Sequence, residues 1–265
     1  MLAICIQSQV VYGHVGNNAA IYPMQAEGVS VAAVPTTLLS NHPRYPTLRG
    51  RVLDAELVAD LLRGVEERAL VERASVLVTG YLGSETNAQI IADFVARARQ
   101  RNPDLVYLCD PVIGDDGKVY VAEGILDVVR TRLVPLASFV TPNQFELEQL
   151  AGMKVTDIAS LRAASAALSA GGVVATGCAV ADTGAGQVET ILCANGAAQR
   201  FATMRLPIRP CGTGDLLTGL IAAHLAKGAA IAAAVRAAVD GVFAVLVRTQ
   251  AEGAEEMRLV PWPAR

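Results

Sequence analysis

Cys211-Gly212-Thr213-Gly214-Asp215 runs straight into Leu216-Leu217-Thr218-Gly219-Leu220-Ile221-Ala222-Ala223. The glycines permit backbone angles that a β-carbon hinders, and they let an anion approach the main chain closely. The apolar run predicts a helix. Its first N–H groups lack intrahelical acceptors, and its dipole favours negative charge there. Asp215 then falls in the first helical turn, beside whatever anion binds. A carboxylate so placed can orient a hydroxyl and take its proton, while the N–H groups stabilise a transferring phosphoryl group. Taken alone, the five residues fit a capped helix after a Gly-rich turn equally well.

Outward from this stretch, short apolar runs alternate with amphipathic ones. Residues 2–6, 30–34, 75–79, 105–109, 138–140 and 173–177 read as buried strands, with a short strand at 118–121. Helical patterns begin near Asn18 and cover 54–69, with Asp54 as N-cap, then 85–102, 155–170 and 229–247. Asn195-Gly196 between two β-patterned runs signals a hairpin with a type I′ turn. The alternation predicts an α/β fold, a three-layer α/β/α sandwich around a mostly parallel sheet. Without an internal repeat or linker, residues 1–265 read as a single domain. The loop from Pro35 to Pro46 is too long for a plain connection, which predicts a lid or flap over 36–50. The order of 248–265 is left open by the sequence.

In such sheets, ligands bind beyond the carboxyl ends of the strands. Ser8 stands there as a hydrogen-bonding group for a small polar ring, or as a turn residue. His42 is a ligand contact or an exposed loop histidine, and Tyr81 offers a ring face or packs at the rim. Asp110 and Asp115-Asp116-Gly117 follow the fourth strand, where carboxylates suit a divalent ion or its water, although the latter triplet is also a common turn. Glu146 opens a helix after the fifth strand, and either shares a metal–phosphate cluster with Asp110 or answers the helix dipole. Thr176 and Gly177, where the sixth strand meets a turn, are placed to touch a nucleotide phosphate.

Composition excludes several classes. A net charge of −3 gives no bulk attraction to nucleic acid or acidic membranes. The three lysines, Lys118, Lys154 and Lys227, lie outside any Walker-type loop. No apolar stretch of membrane-spanning length and no basic-then-apolar leader is visible. Five scattered cysteines without metal-ligand spacing fit a reducing cytoplasm.

The order of motifs is more specific than any one of them. Ser8, Tyr12-Gly13-His14-Val15-Gly16-Asn17, Ser40-Asn41-His42, Gly80-Tyr81, Asp110-Pro111-Val112-Ile113-Gly114-Asp115, Thr141-Pro142-Asn143-Gln144-Phe145-Glu146 and Gly212-Thr213-Gly214-Asp215 span nearly the whole chain. Together they resemble the pyridoxal kinases of the ribokinase-like family. The resemblance implies transfer of the ATP γ-phosphoryl group to the 5′-hydroxymethyl of pyridoxal, and of pyridoxine and pyridoxamine. It implies Asp215 as base and Gly212, Thr213 and Gly214 as the anion hole. Asp110, Asp115, Asn143 and Glu146 would arrange Mg²⁺, its water and the phosphates. Thr141 would help hold a monovalent cation (K⁺ or Na⁺). Ser8, His42 and Tyr81 would hold the pyridine ring, with Thr176 and Gly177 near ATP. A homodimer is implied as well.

Two departures stand out. Pro43 occupies a place where the family often has a substrate-contacting threonine, and Leu206-Pro207-Ile208-Arg209-Pro210 is short and carries two prolines. Hydroxymethylpyrimidine (phosphate) kinases share the fold and are the alternative, although they often carry cysteine where this chain has Asp215. A catalytically weak vitamin B6-binding or regulatory protein is the other alternative. The intact Gly-Thr-Gly-Asp and both acidic clusters speak against it.

Overall fold

Side chains of the central strands alternate between two cores. In β1 (Leu2–Val10), Ile4 and Ile6 enter one apolar cluster, while Ala3 and Cys5 enter the other. The computed structural model describes residues 1–262. Along the chain follow β2 (Ser30–Leu39), β3 (Gly50–Val52), β4 (Val76–Thr79) and β5 (Val106–Cys109), then the small hairpin of β6 (Gly114–Asp115) and β7 (Lys118–Val119). The last strands are β8 (Phe139–Val140), β9 (Gly172–Cys178), β10 (Gln187–Ala194) and β11 (Ala197–Met204). Among the described residues, nine of these form one sheet in the order β11-β10-β9-β8-β5-β4-β1-β2-β3. The run from β9 to β2 is parallel throughout, and antiparallel neighbours close both edges. Burial on both faces is why the central strands read as continuous apolar runs.

The helices are α1 (Asn17–Ala26), α2 (Ala55–Glu67), α3 (Leu70–Arg73), α4 (Glu85–Arg101), α5 (Glu123–Val128), α6 (Gln144–Ala151), α7 (Ile158–Ala167), α8 (Thr213–Ala226) and α9 (Ile231–Ala251). Val58 and Leu62 of α2, Ile91 and Phe94 of α4, and Leu161 of α7 cover one face. Met24 of α1, Ile221 of α8 and Val235 of α9 cover the other. This is the expected α/β/α sandwich. Asn195 and Gly196 both take positive φ, as a type I′ turn requires.

Two boundaries differ from expectation. β1 runs on past Ser8 to Val10, pairing Gln9 and Val10 with Leu38 and Leu39 of β2; between Gln7 and Gln9 the register slips, with Thr36 and Thr37 of β2 bulged opposite the single Ser8. β2 continues to Leu39, since Thr37–Leu39 pair with Val52–Gly50 of β3, so the flap begins only at Ser40. Asp54 sits at the N-cap of α2 without a side-chain capping bond, whereas Ser84 caps α4 by accepting from the Asn87 N–H. The segment after α9 folds back over the sandwich: Met257 and Leu259 are fully buried, and the Thr249 hydroxyl accepts from Arg258 N–H at 2.9 Å. The last residues of that segment, 263–265, lie outside the described residues.

Candidate active site

The N-terminus of α8 faces the loop between β1 and α1. Gly212 has φ +81°, and a β-carbon there would overlap the carbonyl oxygen of His14. Gly16 is equally confined, since its β-carbon would overlap Ser8. These two close approaches hold Ser8, His14 and Gly212 in one interlocked layer. Among the described residues, no side-chain hydrogen bond caps α8, and Gly214 is exposed with open space around its Cα. The first-turn N–H groups therefore face a region that an anion can enter.

Asp215 stands in that first turn. Burial pushes its carboxyl up to about 6, against the opposing pull of the Gly16 N–H. Asp110, directly after β5, is buried, and its carboxyl is raised well above the usual range by that burial and by the charges of Glu146 and Asp215. Thr218, a hydroxyl within the apolar face of α8, donates to Asp110 Oδ2 at 3.2 Å and lies 2.9 Å from the Thr141 hydroxyl. Strand ends β5 and β8 are thus joined to α8 by one chain of polar groups.

Glu146 is committed to the backbone. Its Oε1 accepts from Ile113 N–H at 2.8 Å and Gly114 N–H at 3.3 Å, and its Oε2 accepts from Asn143 N–H at 2.9 Å. The last bond is half of a capping box, completed where Asn143 Oδ1 accepts from Glu146 N–H. Burial pushes the Glu146 carboxyl up to about 7 even against these donors. Asp115 is exposed and accepts from Asp116 N–H. Among the described residues, no three His, Cys, Asp or Glu side chains converge closely enough to ligate an ion directly. Thr176 extends the sheet by one bridge to Asn143 and donates its N–H to Pro142 O at 2.8 Å, and Gly177 beside it is exposed.

On the opposite side, Tyr81 is half-buried, and its carbonyl accepts from the Thr36 hydroxyl at 2.6 Å. His42 is buried, while Pro43 beside it is exposed. Two arginines strap the flap outward: Arg44 donates to Arg209 O at 2.5 Å, and Arg209 pairs with Asp116 at 2.7 Å.

The family profile described as phosphomethylpyrimidine kinase matches residues 13–258. The chain is 39% identical over 262 residues to the pyridoxal kinase of Rubrobacter xylanophilus, covering 97% of this chain and 90% of that one. It is 38% identical to the pyridoxine/pyridoxal/pyridoxamine kinase of Bordetella avium, over 96% of this chain and 87% of that one. The solved pyridoxal kinase of Leishmania donovani, in complex with ADP and pyridoxine, superposes with a TM-score of 0.89 at 29% identity, covering 99% and 94%. The chain belongs to the pyridoxal kinase family.

Its fold is therefore ribokinase-like. In this pyridoxal kinase relative, the described residues include no helix long and apolar enough to cross a membrane. Three residues lie around this candidate site without having been read from the sequence as part of it: Thr218, Tyr120 and Glu256. Thr218 left a signal, being the lone hydroxyl in Leu216–Ala223. Tyr120 is exposed, and its N–H donates to the carbonyl of Ile113 at 3.1 Å, beside the Glu146 carboxylate that Ile113 N–H reaches. Glu256 left no local signal at all.

Proposed function

We propose that the protein phosphorylates pyridoxal at its 5′-hydroxymethyl, using ATP, and accepts pyridoxine and pyridoxamine as well. The observation that carries this reading is Asp215: a carboxyl lifted to about 6, in the first turn of a helix whose N-terminus is open to an anion. The substrate hydroxyl oxygen attacks the γ-phosphorus in line, the bond to the β,γ-bridging oxygen breaks, and ADP leaves. The hydroxyl proton passes to Asp215. The transition state is loose, so positioning the hydroxyl contributes as much as the basicity of Asp215. N–H groups of Gly212, Thr213 and Gly214 stabilise charge on the transferring group. Ser8, His42 and Tyr81 hold the ring. Asn143, Thr176 and Gly177 contact ATP. One kinase domain, with residues 40–49 as its flap, fits the single continuous sheet.

The acidic groups fit Mg²⁺. Burial raises the carboxyls of Asp110, Glu146 and Asp215, and at Asp110 the charges of Glu146 and Asp215 add to it, which is the state of a donor set whose counter-charge comes from a cation. Because Glu146 is bound to three backbone donors, Asp110 and exposed Asp115 would hold the ion's water shell, with Glu146 behind them. Such an ion neutralises charge on the phosphates. Thr141 retains an acceptor lone pair for a monovalent ion. The five free cysteines support a cytoplasmic setting, and a homodimer follows from the resemblance alone.

ADP release measured across pyridoxal, pyridoxine, pyridoxamine and hydroxymethylpyrimidine tests the reading. Turnover of a vitamer above the pyrimidine is the expected result. Preference for the pyrimidine assigns the alternative kinase, and vitamer binding without turnover assigns a regulatory protein.

A further inference from the structure

The chain beyond α9 returns to the acceptor side of the site and delivers one buried carboxylate, Glu256. Its Oε1 accepts from the Tyr45 hydroxyl at 2.8 Å and lies 2.8 Å from His42 Nε2. Its Oε2 accepts from His14 N–H at 3.0 Å. Tyr45 and His42 belong to the flap, with ring centroids 4.7 Å apart, and His14 belongs to the loop whose carbonyl abuts Gly212. Every partner of this carboxylate is therefore in one of the two loops that bound the acceptor pocket. Met257 and Leu259, both fully buried, already anchor the tail to the core. The charge at 256 is not required for that anchoring.

The bonds also fix chemistry. Burial acts to raise the Glu256 carboxyl, but the donors Tyr45, His42 and His14 outweigh it and hold it below the usual range. An ionised carboxylate only accepts, so the His42 ring must donate through Nε2. Its Nδ1 is buried without a hydrogen-bond partner. Glu256 is thus what sets the tautomer and orientation of His42, the residue assigned above to the pyridine ring.

We propose that Glu256 is a positioning residue for the acceptor substrate, tying His42 and Tyr45 of the flap to the His14 loop at the anion hole. It acts through His42 and touches neither substrate nor phosphate. The inference rests on the proposed role of His42 in ring binding. Its consequence is a split in the kinetics: the vitamer side weakens while the nucleotide side does not.

The test compares wild type, Glu256→Gln and Glu256→Asp. The KM for pyridoxal and the KM for ATP are measured separately, and the imidazole nitrogens of ligand-free protein are read by ¹⁵N NMR. In Glu256→Gln, an amide replaces one acceptor oxygen. The KM for pyridoxal should rise about tenfold or more, the scale of one lost charge-assisted hydrogen bond, with the ATP KM little changed. His42 should shift from a single Nε2–H tautomer to a mixture, and Glu256→Asp should restore part of both. An unmoved tautomer with an unchanged pyridoxal KM would overturn the proposal, as would equal losses for both substrates. If Glu256→Gln does not fold, Tyr45→Phe removes one donor alone and should raise the pyridoxal KM in the same direction. An unchanged value there overturns the proposal too. Wild-type protein inactive on every vitamer would sink the functional reading itself, and is distinguished from these outcomes by needing no variant.

Discussion

At the scale of residues, two carboxylates lead to opposite predictions. Asp215→Asn keeps the size and can still hydrogen-bond but cannot take the proton. Loss of a general base is worth roughly 10²–10⁴-fold in rate, and kcat should fall on that scale with ATP affinity retained. Because the Asp215 carboxyl is lifted to about 6, wild-type kcat/KM should fall as pH drops through that value, and the variant should lack this acid limb. Asp110 acts the other way on stability. Its folded pKa lies above the unfolded value of about 3.9, so the ionised form is penalised by folding. That penalty is absent below the unfolded pKa and grows as pH rises towards the folded one. Asp110→Asn removes it while leaving an acceptor for Thr218. In chelator without nucleotide, the Tm of Asp110→Asn should exceed wild type by more at pH 7 than at pH 5, while its activity falls. A Tm difference that does not vary with pH would mean that Asp110 is not held neutral by its surroundings.

At the scale of elements, the flap is held by tethers of unequal weight. The outer one, from Arg44 through Arg209 to Asp116, is exposed along its length. Exposed ion pairs contribute little after screening and side-chain entropy, so Arg209→Ala should change the KM for ATP or pyridoxal by less than about fivefold and leave the Tm unmoved. Steady-state kinetics at low and high salt check this, since added salt should reduce even that small effect. The inner tether at Glu256 is buried and joins three donors, which is why the larger consequence is assigned there. β2 shows the same lesson in reverse: five residues at its end that look like loop become strand, the last three of them paired with β3.

At the scale of the whole molecule, the two faces of the sheet are covered by separate sets of helices, and the segment after α9 seals the face that carries α8. Met257 is fully buried in that cluster, and its side chain reaches the underside of Gly212. Met257→Ala leaves a cavity there and should destabilise the protein by about 2–5 kcal/mol. Urea unfolding measures this as a lower midpoint with an unchanged slope. A loss well under about 1 kcal/mol would mean that the tail is peripheral to the cooperative unit.

The sequence by itself determined the layers and put Asp215 in the first turn of α8. Strand and helix periods are local, and so are the Gly212-Thr213-Gly214-Asp215 stretch at the start of α8 and the Asn195-Gly196 turn. Each is written within a few consecutive residues. The tertiary structure alone decided the bulge at Thr36 and Thr37 opposite Ser8, because a register slip exists only between two paired strands. It alone made Glu146 a clamp on the β6 strand, since the N–H groups of Ile113 and Gly114 reach it from another loop. It alone raised Asp110, Glu146 and Asp215 by burial, and Asp110 further by the charges of the other two, because desolvation and repulsion depend on what surrounds a carboxylate in space. It alone brought Glu256 to His42, 214 positions away along the chain. A contact of that separation leaves no periodicity, no cap and no turn signal. It arises because buried Met257 and Leu259 fix the tail, and among the described residues the carboxylate between that anchor and the flap is satisfied by His14, His42 and Tyr45.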